Sequence, residues 1–134
     1  MAKILIVDDN EDNRALLAYL LDRRGHTTVL AASGEAGVEA AASEVPDLIL
    51  MDLAMPTMDG HAAARRIRTQ DALASTPILA MSAVYRTPHM SSGPEVGLFD
   101  GFFELPMDLS AWVSQIEAHL EPGAAQPGGA EGGR

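Results

Sequence analysis

Lys3-Ile4-Leu5-Ile6-Val7-Asp8-Asp9, residues 3–9, is the stretch on which the fold turns. Its four consecutive apolar residues carry no polar alternation, so they read as a strand buried on both faces, as strands of a parallel sheet are. Two carboxylates close the run. The pattern returns at Leu48-Ile49-Leu50-Met51-Asp52, and again from Pro77 to Met81, where Ser82 closes it. A weaker run from Gly101 to Leu105 and a β-prone stretch from Thr27 to Ala32 bring the expected strands to five.

Helical periods separate these runs. Leu16, Leu17, Leu20 and Leu21 recur at helical spacing, and Gly25 follows as a stop. Ser33 is a natural cap for a helix whose apolar stripe is Val38, Ala41, Ala42 and Val45, and Pro46 ends it. After the turn Met55-Pro56-Thr57-Met58-Asp59-Gly60, a third helix turns Ala63, Ala64 and Ile67 inward and Arg65, Arg66 and Arg68 outward as a solvated face. From Tyr85 to Gly97 the signal is poor, because Pro88, Gly93, Pro94 and Gly97 each disfavour a helix, so the fourth helix is expected to be short or irregular. The last helix has Asp108 as N-cap and Leu109, Trp112, Val113, Ile116 and Leu120 on one face.

Alternating strands and helices predict an α/β fold: a doubly wound, five-stranded parallel sheet in the order 2-1-3-4-5. The domain is expected to run over residues 1–121. Residues 122–134, rich in Gly, Pro and Ala, are expected to form a disordered tail, since they cannot bury enough apolar surface to offset the entropy of ordering.

Composition narrows the function. With 134 residues there is room for one domain, and 47% apolar residues are enough for one core. The absence of cysteine excludes disulfides, a thiol nucleophile and a Cys-based zinc site, and suits a cytoplasmic protein. Four apolar residues after Lys3 are too few for a signal peptide, which needs roughly 7–15, and no stretch approaches the roughly 18 that span a bilayer. The net charge of −10 repels nucleic-acid phosphates and favours divalent cations, so neither nucleic acid nor membrane is an expected partner. His26, His61, His89 and His119 are scattered without metal-ligand spacing and read as surface or structural residues.

The chemistry gathers at the strand ends. In the order 2-1-3-4-5, strands one and three are neighbours, so Asp8, Asp9 and Asp52 meet at the switch point where ligands bind such sheets. At about 5 Å and an effective dielectric near 20, each ionised pair costs roughly 3 kcal/mol. A hard divalent cation relieves that repulsion, and Mg²⁺ suits a few carboxylates with retained waters. Such an ion also neutralises an incoming phosphoryl group, so that one carboxylate oxygen can attack phosphorus and become an acyl phosphate.

Together, ILIVDDN at 4–10, DLILMD at 47–52, MPTMDG at 55–60 and MSA at 81–83 resemble the acidic pair, acceptor strand, turn and Ser/Thr-small motif of response-regulator receiver domains. The resemblance covers about residues 1–121 and implies the flavodoxin-like receiver fold, similar to single-domain chemotaxis-type regulators. It implies that Asp52 accepts a phosphoryl group, that Asp9 binds Mg²⁺ directly and Asp8 through water, and that the carbonyl of Ala54 adds a ligand. It implies that Ser82 bonds a phosphoryl oxygen beside a small Ala83, and that Phe102 is the aromatic that changes rotamer with it. The donor would be a phosphohistidine on a histidine kinase or phosphotransfer protein, and the output would pass to a downstream target protein. Such a domain is not an enzyme toward an external substrate.

Two departures stand out. The family usually places a lysine before the proline that follows strand five, and here Leu105 stands there; the chain's single lysine is Lys3. An aspartyl phosphate carries about −2. With Asp8, Asp9 and one Mg²⁺, a site completed by lysine is left near −1, and this one near −2. The expectation is a phosphorylated state that forms less readily or couples weakly to conformational change, with Arg86 as a candidate replacement cation. The broken segment from Tyr85 to Gly97 is the second departure and predicts a rebuilt signalling face. The resemblance also implies that Ala54 and Val84 occupy the positions that tune hydrolysis of the acyl phosphate in the family; both are apolar and cannot hold an attacking water by hydrogen bonding, which predicts slow self-dephosphorylation. The competing reading is a pseudo-receiver, the same fold used as a phosphorylation-independent docking or scaffold module, which Leu105 favours and the intact acid set opposes. A flavodoxin-like cofactor binder or small phosphatase lacks support, since neither GxxxxGK[ST] nor GxGxxG follows strand one.

Overall fold

The computed structural model describes residues 2–53, 55, 58–82, 98–104 and 108–120, with the backbone alone at Ser82 and Glu104. Five strands, β1 (Lys3–Val7), β2 (Thr27–Ala31), β3 (Leu48–Asp52), β4 (Ile78–Ser82) and β5 (Gly101–Glu104), form one parallel sheet in the order β2-β1-β3-β4-β5. The described helices are α1 (Glu11–Asp22), α2 (Gly34–Glu44), α3 (Gly60–Arg68), a single 3₁₀ turn at Asp71–Leu73, and the C-terminal helix α4 (Leu109–Leu120). This is the doubly wound architecture expected from the alternating pattern. The irregular helix expected within residues 85–97, the tail at 122–134, and Ala54, Arg86 and Leu105 lie outside the described residues.

Strand burial explains why the apolar runs are continuous. Ile4, Ile6, Leu48, Leu50, Leu79 and Met81 face a core with Leu17 and Leu21 of α1 and Trp112, Val113 and Ile116 of α4. Leu5, Val7, Ile49, Met51 and Ile78 face a second core with Ala41 of α2 and Ala63, Ala64 and Ile67 of α3. Each side chain withdrawn this way contributes about 1.5–3 kcal/mol. Alternate residues serve opposite cores, so no position on these strands is left for a polar side chain until the sheet ends.

The helices begin at that end, each with a side-chain cap. Asn10 Oδ1 accepts from Asn13 N at 2.9 Å, Ser33 Oγ from Ala36 N at 3.1 Å, and Asp59 Oδ1 from Ala62 N at 2.9 Å. Asp108 precedes α4 as expected and accepts from Ser110 N at 3.0 Å. These caps satisfy orphan donors of the first turn.

Three details differ from the sequence pattern. On α1 the buried residues are Leu17, Ala18 and Leu21, while Leu16 is 45% exposed. On α2 the inward face is Gly34, Gly37 and Ala41, and Ala42 and Val45 are exposed. The reason is close approach: a Cβ at Gly37 would sit 2.8 Å from a Val7 methyl, so only the smallest residues fit against the sheet there, while Val38 packs at the margin of the core and Val45 is turned out. Val45 ends α2 with φ 46°, ψ 66°, a left-handed conformation unusual for a β-branched residue.

Arg68 is the third. Rather than a solvated cation it is a clamp. Its guanidinium donates to the carbonyls of Thr76 at 2.6 Å, Ala74 at 3.2 Å and Leu98 at 2.9 Å, and to Asp100 Oδ2 at 2.9 Å. Asp100 in turn accepts from Ile78 N at 3.0 Å. One side chain therefore joins the end of α3 to the entrances of β4 and β5.

Candidate metal and phosphoryl site

Register brings the acids together. Val7 pairs with Met51, so Asp8, one residue beyond, lies beside Asp52 at the carboxyl end of the sheet. Carboxylate oxygens of Asp8, Asp9 and Asp52 all lie within 4.8 Å of one another. Asp8 and Asp52 are buried, 3% and 8% exposed, and Asp9 is exposed. The site thus has a sheltered floor and an open rim.

The backbone around it is held firmly. Asp8 N donates to Ala31 O at 3.1 Å, and its carbonyl accepts from the Arg14 guanidinium at 2.8 Å. Asp8 Oδ1 accepts from Asn10 N at 2.9 Å. Since Asn10 caps α1, neither Asp8 nor Asp9 is spent on that task. On the other side, Leu53 N donates to Met81 O at 3.0 Å, and α3 starts directly over the end of β3. A Cβ at Gly60 would sit 2.4 Å from Asp52 O, so the glycine of the MPTMDG turn is required by close approach.

Electrostatics register the crowding. Burial pushes the Asp8 carboxyl above the usual carboxylate range, the neighbouring Asp9 charge adds to this, and hydrogen bonds from Asn10, Asp52 and Asn13 work against it. Three hard oxygen donors, converging and mutually repelling, fit a small divalent cation such as Mg²⁺.

The remaining candidates are placed less fully. Ser82 is the last residue of β4 and pairs with Glu104, which puts its backbone at the same end of the sheet as the acids. Phe102 pairs with Ala80 and is partly exposed. Strand alternation sets it opposite Phe103, which is buried and packs edge-on against Trp112 at 6.4 Å. Two of the four histidines are structural, as expected: His26 Nδ1 accepts from Ala2 N at 3.2 Å while Nε2 meets Glu117 at 2.9 Å, and His61 packs edge-on to Phe99 at 5.6 Å. Arg14 was not among the sequence candidates. Its spacing of six from Asp8, through the cap into the first turns of α1, is the only signal that could have pointed to it.

A family model described as "Response regulator receiver domain" matches residues 4–116. Protein PilH of Pseudomonas aeruginosa is 31% identical over 120 residues, covering 90% of this chain and 98% of the relative. The chain spans about half the length of several curated transcriptional regulators that it also matches. Among solved structures, Vibrio cholerae chemotaxis protein CheY4 aligns with a TM-score of 0.79 at 26% identity, covering 87% of this chain and 97% of that one. The receiver domain of sensor histidine kinase PA1611 from Pseudomonas aeruginosa, described with a magnesium ion coordinated in its active-site cleft, aligns with a TM-score of 0.76 at 28% identity, covering 86% of this chain and 93% of that one.

Proposed function

Because this chain belongs to the response regulator receiver family, we propose that it works as a single-domain response regulator, with Asp52 accepting a phosphoryl group from a partner phosphohistidine. The observation that carries this reading is the convergence of the Asp8, Asp9 and Asp52 carboxylates within 4.8 Å at the end of the sheet. Nothing in the packing of the two cores requires three acids there, and their repulsion opposes folding.

Asp52 is the acceptor because it is the carboxylate held on a buried strand end, fixed by the β3–β4 ladder and roofed by Gly60. One of its oxygens attacks phosphorus in line; the P–N bond to the donor imidazole breaks, and that electron pair leaves with the nitrogen. Asp8 and Asp9, with the Ala54 carbonyl, would hold Mg²⁺, which supplies charge neutralisation for the arriving phosphoryl oxygens. The similarity to a receiver with magnesium in its cleft supports that choice of ion. Arg14 keeps the Asp8 peptide in place. Ser82 is assigned to a phosphoryl oxygen and Phe102 to the conformational response. The donor is a histidine kinase or phosphotransfer protein, and the output is contact with a downstream target in the cytoplasm. No described helix is long and apolar enough to cross a membrane.

Leu105, where the family carries lysine, favours a second reading in which the domain docks without being phosphorylated. Intact mass after acetyl phosphate or beryllofluoride treatment, with and without Mg²⁺, separates the two. Metal-dependent modification that disappears in Asp52→Asn is the expected result. An unmodified but folded wild-type chain under every condition would leave only the docking module.

A further inference from the structure

Asp8 is held at three polar atoms. Its N–H donates to Ala31 O at 3.1 Å, its Oδ1 accepts from Asn10 N at 2.9 Å, and its carbonyl accepts from the Arg14 guanidinium at 2.8 Å. The third bond has a wider reach than the others. That carbonyl lies in the planar peptide unit that joins Asp8 to Asp9. Pinning its oxygen fixes the two backbone torsions on either side of the plane, and those torsions aim the side chains of both acids. Arg14 is itself placed by the start of α1: its N–H donates to Asn10 O at 3.0 Å, and Asn10 Oδ1 caps the same turn. Asp8 and Arg14 are therefore joined twice, through Asn10 and directly, in a closed loop.

Charge alone gives no reason for an arginine at this place, because a guanidinium beside a site for a divalent cation repels the ion. Its side chain is half-buried, so water could reach the strand end and satisfy the carbonyl in its stead. What Arg14 supplies is direction, since a charged donor makes a hydrogen bond roughly twice as strong as a neutral one. We propose that Arg14 is a positioning residue for the acid cluster, holding the Asp8–Asp9 peptide so that both carboxylates converge with Asp52 on one ion. It acts through Asp8 and Asp9 and touches neither the ion nor the phosphoryl group. The inference rests on the reading of these acids as a Mg²⁺ site. It gives Arg14 an effect opposite in sign to its charge. Removing this one arginine takes the net charge from −10 to −11, which by itself draws Mg²⁺ more strongly, whereas loss of positioning weakens its binding.

Titration of the full chain with Mg²⁺, followed by ¹H–¹⁵N nuclear magnetic resonance, tests this, because the same spectra report the dissociation constant and whether each variant is folded. Arg14→Ala is expected to bind Mg²⁺ about tenfold more weakly than wild type, the loss typical when a group that orients a metal ligand is removed. Arg14→Met, which keeps the aliphatic stem and lacks the donor, is expected to lose as much and stands in should the alanine variant not fold. Arg14→Lys, which keeps one charged donor, is expected to recover most of the affinity. Arg24→Ala removes the same charge from beyond the other end of α1, where Arg24 pairs with Glu117, and is expected to bind as wild type does. A folded Arg14→Ala or Arg14→Met variant that binds Mg²⁺ as tightly as wild type, or more tightly, overturns the proposal and leaves the metal site standing. An equal loss in Arg24→Ala also overturns it, since the effect would not belong to the Asp8 peptide. A folded wild type that takes up no Mg²⁺ overturns the metal site itself, and this inference with it.

Discussion

Replacing Asp52 by Asn should make the metal-free domain more stable and the metal-bound state harder to reach. With carboxylate oxygens within 4.8 Å, an ionised pair costs about 3 kcal/mol at an effective dielectric near 20. Asp52 faces two such neighbours. The pair with exposed Asp9 is screened to about 1 kcal/mol. The pair with Asp8 is eased by the hydrogen bond they share, which works against the rise that burial causes in the Asp8 pKa. After roughly 1 kcal/mol for burying an amide in the carboxylate's place, a net gain of about 1–2 kcal/mol remains. For a chain of this size that is roughly 3–8 °C in melting temperature. Thermal unfolding followed by far-ultraviolet circular dichroism, in chelator and again in Mg²⁺, reads both halves of the claim. Metal at ten times its dissociation constant adds about 1.4 kcal/mol to the wild type, and the variant should gain much less. Acid gives an internal check. The folded pKa of Asp8 lies above its unfolded value, so its ionised form destabilises the fold at neutral pH, and this penalty fades as pH falls through the folded pKa. The advantage of the variant should shrink over that range. A variant less stable than wild type in chelator, or one that gains as much from Mg²⁺, would show that the carboxylates do not share a site.

Arg68→Ala should cost about 3 kcal/mol in urea unfolding, because the carbonyls of Thr76 and Leu98 and the Asp100 carboxylate all lose a charged donor, and Lys should restore only part of it; a loss below about 1 kcal/mol would contradict the clamp. Gly60→Ala forces a Cβ to 2.4 Å from Asp52 O and should destabilise by about 1–3 kcal/mol while slowing beryllofluoride modification, both measurable on one preparation. Glu117 is held down to about 2 by hydrogen bonds from Arg24 and His26, so its contribution is present above about 4.5 and vanishes as pH falls from there to about 2. Glu117→Gln should therefore cost about 1 kcal/mol at neutral pH, with Arg24 half exposed to solvent, and nothing at pH 2; equal loss at both pH values would refute the ion pair's part in it. Val45→Gly should stabilise by roughly 1 kcal/mol, since glycine accepts φ 46° without strain, and a lower melting temperature would argue that the valine's exposed side chain matters to the fold.

The three central strands, β1, β3 and β4, could be read from the sequence because each serves two cores at once, which writes burial as an unbroken apolar run, whereas the edge strands β2 and β5 gave weaker signals. The acids could be read for the same reason: a parallel sheet in this order leaves the ends of β1 and β3 adjacent, so Asp8 and Asp52 had to meet. Hydropathy misjudged α2, where steric closeness and not apolar character decided which residues turn inward, so Gly34 and Gly37 displaced Ala42 and Val45. Arg68 was misjudged because a charged residue on a helix reads as solvated unless its partners are known, and those partners lie up to 32 residues away. Arg14 escaped notice because its acceptor is a backbone carbonyl, which leaves no trace in side-chain patterns.

The Arg68 clamp has a mechanical consequence for the sheet. It pins β4 and β5 at the ends where they enter, opposite to the ends that carry Ser82 and Glu104. A beam fixed at one end deflects most at its tip. Any shift of these two strands would therefore be smallest beside Asp100 and greatest at Ser82 and Glu104, so that a small push at that end leaves the anchored base still.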